Sequence, residues 1–151
     1  MAHTCSNLLY HLVWSTKNRE PFIKNEIKPR LNSYTRKVIE GEGAKLLFMN
    51  GVEDHVHLLV ATPLTVNIPD LLEKTKPVTT KWLNKTYSEF NGQFSWQKGY
   101  GAFTVAKSIL QGVINYIATQ EEHHKVESYK EGYIRFLEEQ GISYDPRFIF
   151  D

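Results

Sequence analysis

The chain has 151 residues, of which 41% are hydrophobic and 23% are charged, so we expect one folded domain over residues 1–151. Its formal net charge of +1 argues neither for nor against nucleic-acid binding, and no apolar stretch is long enough for a membrane helix. Cys5 is the one cysteine, which excludes an internal disulfide and favours a reducing, cytoplasmic location.

Hydrophobic patterning predicts strands and helices in the order β-α-β-β-α-β, followed by further helices. The predicted strands are residues 8–14, 44–49, 55–61 and 102–105, and the predicted helices are 25–39, 65–87, 107–124 and 128–140. Asn50-Gly51 is a turn signal between the second and third strands. Pro77 should kink or split the second helix because proline lacks an amide hydrogen. The order is that of the ferredoxin-like α+β fold, with a four-stranded antiparallel sheet and C-terminal helices.

Two histidines in the third predicted strand are the first candidates for chemistry. His55 and His57 are two residues apart, so their side chains point to one face of the strand while Val56 points to the other. Two adjacent imidazoles supply half of a metal site, although partly exposed structural histidines would have the same spacing. The next alternate position is Leu59, which excludes the His-x-His-x-His chemistry of histidine-triad hydrolases.

The second candidate pair is Tyr116 with Gln120, on the third long helix. Their separation of four places both on one helix face, together with the sheet-packing residues Ile109, Val113 and Ile117. Taken alone, the tyrosine is more simply explained as a core residue at the edge of that face. A glutamine that faces the core must pair its buried amide, and a metal bound by its carbonyl oxygen is one such partner.

Other polar residues flank these candidates. Asp54 precedes His55 and is a candidate acceptor that would orient its imidazole. His124 is a candidate extra ligand or DNA contact, and it is equally explained as a solvated helix end. His3 and His11 have no partner in the sequence, and we expect them to be structural.

Several segments occur in an order that is known from one family. His55-Val56-His57-Leu58-Leu59-Val60 is a histidine, hydrophobic, histidine (HUH) motif. Tyr100-Gly101-Ala102-Phe103 and Tyr116-Ile117-Ala118-Thr119-Gln120-Glu121-Glu122-His123-His124 follow it, and Tyr10-His11-Leu12-Val13-Trp14-Ser15-Thr16-Lys17-Asn18-Arg19 precedes it. Together they resemble the HUH single-tyrosine transposases of the insertion sequence 200/605 type, over nearly the whole chain.

The resemblance implies a transposase that cuts and rejoins hairpin-bearing single-stranded DNA, with Tyr116 as the nucleophile and three metal ligands, His55, His57 and Gln120. The metal would be Mg²⁺ or Mn²⁺, and attack would leave a 5′-phosphotyrosine and a free 3′-hydroxyl. The resemblance also implies a homodimer in which the tyrosine-bearing helix of one subunit completes the site of the other. Candidate DNA-backbone contacts, equally explained as a solvated surface, are Lys17, Arg19, Arg30, Arg36 and Lys37.

Alternative functions stay open. A domesticated relative that cuts repeated hairpin elements would share this chemistry, and the DNA around the gene would distinguish it. A non-catalytic single-stranded-DNA-binding module would bind without metal and would be indifferent to Tyr116→Phe; the intact set of candidate residues argues against it. Plasmid relaxases and replication initiators that use the HUH motif are disfavoured because they are usually larger.

Overall fold

The computed structural model describes residues 3–124 and 127–151, without the side chain of His124. Four strands form one antiparallel sheet: β1 (Leu8–Ser15), β2 (Lys45–Val52), β3 (His55–Thr62) and β4 (Gly101–Thr104). The helices are α1 (Lys28–Gly41), α2 (Ile68–Thr86), α3 (Leu110–Ala118), α4 (Gln120–His124) and α5 (Tyr129–Glu139). The sheet order β2-β3-β1-β4 and the order of elements along the chain confirm the predicted ferredoxin-like α+β fold.

Alternation along the strands gives the sheet two differently covered faces. The face that carries Leu12 and Leu58 packs against α1 and α2 and forms the larger core. The opposite face carries His11, His55 and His57, and residues of α3 and α5 pack against it. The histidines therefore lie in the layer between the sheet and the C-terminal helices.

The connection between β2 and β3 differs from the prediction. Asn50 and Gly51 lie inside β2, and the turn falls at Glu53-Asp54. A side chain at position 51 would collide with the carbonyl oxygen of His55, so the glycine is explained by the close approach of the two strands. A register shift earlier in β2 pairs Asn50 with His57.

The second helix, α2, continues through Pro77 without a break, so the predicted split is wrong. Asn67 caps the start of this helix by accepting a hydrogen bond from the Asp70 amide at 2.9 Å. Because proline has no amide hydrogen, the backbone carbonyl of Glu73 has no helical partner at position 77. Both residues are exposed, so water can bond to that carbonyl. Neither α2 nor any other helix in the described ranges is long and apolar enough to cross a membrane.

The helix predicted over 107–124 is interrupted at Thr119, between α3 and α4. The Thr119 hydroxyl donates to the carbonyl oxygens of Asn115 (2.9 Å) and Tyr116 (3.3 Å), and such side-chain bonds compete with regular helical pairing. Ile109, predicted to pack on the sheet, is exposed in a 3₁₀ turn that precedes α3. The predicted continuous helical face is therefore wrong.

Candidate active site

The strand β3 presents His55 and His57 on the sheet face that the C-terminal helices cover. Both are buried, with 2% and 4% of their surface exposed, and their ring centroids are 5.0 Å apart. Val56 between them is buried in the core on the opposite face. The burial excludes the alternative of two partly exposed strand histidines.

Each of these imidazoles has a hydrogen-bond partner at Nδ1. Asp54 Oδ1 lies 2.8 Å from Nδ1 of His55, which is the contact predicted for that carboxylate. His11 Nε2 lies 2.7 Å from Nδ1 of His57, a role that the sequence did not indicate. Burial lowers the pKa of His11 to about 4, so this side chain is a neutral partner near pH 7. A metal would then be bound through Nε2 of His55 and His57, with the Nδ1 contacts fixing both rings.

Asn50 holds the end of the tyrosine-bearing helix above the histidines. It is the cross-strand partner of His57, and its Nδ2 donates to the carbonyl oxygens of Ile117 (3.0 Å) and Ala118 (3.3 Å). Carbonyl groups in the last turn of a helix have no amide partner within it. The side chain therefore joins β2 to the C-terminal end of α3.

Gln120 turns its side chain back from the start of α4 toward the histidine pair. It is 2% exposed, and its Nε2 donates to the carbonyl oxygen of Tyr116 at 3.2 Å, which fixes the orientation of the amide. Its Oε1 consequently faces Nε2 of His55 at 3.3 Å.

The donor atoms of this cluster fit a divalent cation. When Nδ1 of His55 donates to Asp54, the Nε2 of that ring and the Gln120 Oε1 are two electron-pair donors that face each other. Two neighbouring ligands of an octahedral cation lie about 3 Å apart, close to the observed separation. Within the described parts of the chain, no group of three His, Cys, Asp or Glu side chains is placed to hold a metal. The candidate set is instead two imidazoles and one amide oxygen.

The side chain of His124, the predicted extra ligand, lies outside the described residues. Its neighbour His123 is described, and its ring centroid is 4.4 Å from that of Tyr116. His123 Nε2 lies 3.1 Å from the Thr119 hydroxyl, so this imidazole packs beside the tyrosine at the bend between α3 and α4.

Tyr116 lies half-buried beside the histidines. Its ring centroid is 6.0 Å from that of His57, and its hydroxyl accepts a hydrogen bond from Arg135 at 3.0 Å. Burial raises the pKa of Tyr116, and the Arg135 charge and a hydrogen bond with Gln120 oppose that rise. The four candidate residues thus meet within one chain: Tyr116, His55, His57 and Gln120. The expected exchange of the tyrosine-bearing helix between two subunits stays a prediction.

The C-terminal helix α5 covers the cluster, and sequence reasoning placed no functional residue on it. The Tyr129 ring lies 4.8 Å from that of His55, and the Phe136 ring lies 5.4 Å from that of Tyr116. The Tyr129 hydroxyl donates to Gln97 at 2.8 Å, and burial raises the pKa of this tyrosine. The cavity that remains has a volume of about 20 Å³, enough for about one water molecule.

The predicted DNA-contacting residues fall in two separate places. Lys17 and Arg19 follow β1, at the end of the sheet where Ser15 pairs with His55. The other three lie on α1, which packs on the sheet face opposite the histidines: Arg30, Arg36 and Lys37. The structure therefore brings two of the five near the histidine end of the sheet and leaves three on the other layer.

Comparisons of the sequence with known proteins identify the family of the chain. The profile described as "Transposase IS200 like" matches residues 4–120. The ISDra2 transposase TnpA of Deinococcus radiodurans is 26% identical over 119 residues, which cover 76% of this chain and 85% of that protein. The transposase for insertion sequence element IS200 of Salmonella typhimurium is 25% identical over 130 residues, covering 83% of this chain and 85% of that protein. The chain belongs to the IS200-like transposases.

Two solved structures share the fold. One is the crystal structure of a Deinococcus radiodurans R1 protein assigned as a transposase, with a TM-score of 0.66, 24% identity, and coverage of 80% of this chain and 95% of that one. The other is a REP-associated tyrosine transposase bound to a REP hairpin, with a TM-score of 0.61, 12% identity, and coverage of 82% and 72%. At these identities the similarity concerns the fold alone.

Proposed function

We propose that this transposase cuts and rejoins single-stranded DNA beside hairpins through a covalent bond between Tyr116 and a 5′-phosphate. The observation that carries the proposal is the buried cluster in which Tyr116 lies beside His55, His57 and Gln120. Hairpin DNA is proposed because a protein of the same fold is a tyrosine transposase bound to a REP hairpin.

The reaction exchanges one ester bond of phosphorus for another. The Tyr116 oxygen attacks phosphorus, and the bond between phosphorus and the 3′-oxygen breaks as the new bond forms. The tyrosine loses its proton and the departing 3′-oxygen gains one, so the products are a 5′-phosphotyrosine and a 3′-hydroxyl. The phosphate ester is kept, and a 3′-hydroxyl of another strand can therefore reverse the step without ATP.

The residues that would hold a divalent cation, Mn²⁺ or Mg²⁺, are His55, His57 and Gln120. All three are neutral ligands, and their mixed nitrogen and oxygen donors suit Mn²⁺ better than Mg²⁺, which prefers oxygen. When bound, the cation would neutralise and orient the phosphate. Asp54 and His11 hold the two imidazoles in the orientation that this requires.

The test uses single-stranded hairpin oligonucleotides from the DNA that flanks the gene, labelled at either the 5′ or the 3′ end. Each is incubated with Mn²⁺ or EDTA and with wild type, Tyr116→Phe or the control Tyr144→Phe, whose hydroxyl bonds to the exposed carboxylate of Glu138. Wild type and the control should form a covalent adduct that carries the 3′ label and requires Mn²⁺. Tyr116→Phe should form none.

Binding without an adduct, across several flanking sequences and metals, would contradict the proposal and favour the non-catalytic DNA-binding module. An adduct formed on repeated hairpins elsewhere in the genome, rather than on the flanks of the gene, would favour the domesticated relative. The homodimer and the cytoplasmic location stay predictions.

A further inference from the structure

Arg135, in the middle of α5, reaches the oxygen of the proposed nucleophile. Its Nη2 donates to the Tyr116 hydroxyl at 3.0 Å. Its guanidinium carbon lies 5.7 Å from the centroid of the Tyr116 ring and 5.1 Å from that of Phe136. The family profile ends at Gln120, so membership of the family assigns nothing to this arginine.

Two carboxylates hold the guanidinium independently of the tyrosine. Nε and Nη2 of Arg135 donate to the two carboxylate oxygens of Glu127 at 2.9 and 3.0 Å, and Nη1 donates to Glu139 at 3.1 Å. Pairing at two points fixes the plane of a guanidinium, which a lysine in its place would not achieve. Arg135 is therefore a fixed cation, and its Nη2 is shared between Glu127 and Tyr116.

The Tyr116 side chain lies beside both this cation and a predicted metal ligand, since its hydroxyl bonds to Arg135 and its ring centroid is 6.0 Å from that of His57. Gln120 donates to the backbone carbonyl oxygen of Tyr116 at 3.2 Å and faces His55 with its Oε1, so the tyrosine is also joined to the predicted ligands through its backbone. A donor aimed at an atom that gains charge in the transition state, from a preorganised position, is an effective way to lower a reaction barrier.

On the basis of the proposed function, we propose that Arg135 holds the Tyr116 oxygen and stabilises the negative charge on it while its bond to phosphorus forms or breaks. Glu127 positions Arg135 for this contact. Attack by Tyr116 and rejoining by a 3′-hydroxyl pass through the same transition state in opposite directions, so Arg135 accelerates both. The opposite role, in which Arg135 restrains Tyr116 away from DNA, would make removal of the arginine increase the rate.

The experiment measures single-turnover adduct formation on the flanking hairpin with Mn²⁺, and rejoining of purified adduct with a 3′-hydroxyl strand. Arg135→Gln removes the charge, Arg135→Lys keeps it, and Arg147→Gln is the matched control because Arg147 pairs with Asp145 on the exposed C-terminal segment. Hairpin affinity and circular dichroism, measured on the same preparations well below the melting temperature, verify that each variant is folded and binds DNA.

Arg135→Gln should slow adduct formation and rejoining by similar factors, each about 10- to 100-fold, with hairpin affinity retained. Arg135→Lys should recover part of both rates, a rescue that a purely structural role of the arginine would not produce, and Arg147→Gln should match wild type. Rates for Arg135→Gln that equal or exceed those of wild type, while wild type forms the adduct, would overturn this inference alone. Absence of an adduct with wild type would overturn the proposed function and this inference with it.

Discussion

Replacement of His11 by phenylalanine tests whether this buried imidazole supports the proposed metal site. His11 is 4% exposed, its Nε2 lies 2.7 Å from Nδ1 of His57, and the two rings stack at 5.0 Å. Phenylalanine keeps a flat ring at this position but has no nitrogen. The variant therefore removes the hydrogen-bond acceptor while it keeps most of the packing.

The expected loss of Mn²⁺ affinity follows from the hydrogen bond that His57 loses in this variant. Its Nδ1–H would remain buried beside a ring that cannot accept, and an unsatisfied buried donor costs about 1–3 kcal/mol. Loss of the partner that orients a metal-bound histidine typically weakens metal affinity about 10- to 100-fold. We expect His11→Phe to weaken Mn²⁺ binding by that factor and to leave the fold intact.

Isothermal titration of Mn²⁺ into the metal-free protein measures the affinity without any DNA. His3→Phe is the matched control, because His3 is exposed near the N-terminus. Asp54→Asn is the corresponding substitution at the partner of His55. The amide oxygen of asparagine still accepts the Nδ1 hydrogen of His55, but it carries no charge. Mn²⁺ affinity of His11→Phe equal to that of wild type would refute the orienting role.

The remaining predictions concern acid stability, strand packing and subunit exchange. As pH falls from 6.5 toward 4, the His11 imidazole should gain a proton in the unfolded chain before it does so in the folded chain, which favours unfolding. The free energy of unfolding of the metal-free wild type, measured with urea, should therefore fall by up to about 3 kcal/mol over this range. That of His11→Phe should fall by less. Gly51→Ala should lower the free energy of unfolding by about 1–3 kcal/mol through collision with β3, whereas Gly41→Ala meets open space and should not destabilise. A mixture of His57→Ala and Tyr116→Phe chains should form no adduct if each chain completes its own site; a recovered adduct would demonstrate that the tyrosine reaches a partner's histidines.

The histidine pair was predictable because the rule behind it is local. Side chains two residues apart on a strand share a face, so His55 and His57 had to lie together once residues 55–61 were recognised as a strand. The order of elements then left the ferredoxin-like sheet as the expected arrangement. Both inferences need only the chain direction and the strand period.

The supporting contacts were not predictable because they join distant parts of the chain. His11 and His57 are 46 residues apart, and their meeting depends on the register between β1 and β3. Asn50 precedes a glycine, which is a strong local turn signal, yet pairing with β3 prevails and Asn50 holds the end of α3 instead. In both cases tertiary packing, rather than local propensity, determines what the residue does.

The division of the site between the family's shared segment and the C-terminal helix has a chemical meaning. Residues within the matched range 4–120 supply the candidate ligands and Tyr116, which together determine where a phosphate would be held and attacked. α5, beyond that range, forms part of the surroundings of the proposed nucleophile, since Arg135 donates to the Tyr116 hydroxyl and Phe136 packs against the Tyr116 ring. A change at Arg135 or Phe136 should therefore alter the rate of cleavage at constant Mn²⁺ affinity, whereas a change at His11 or Asp54 should alter Mn²⁺ affinity first.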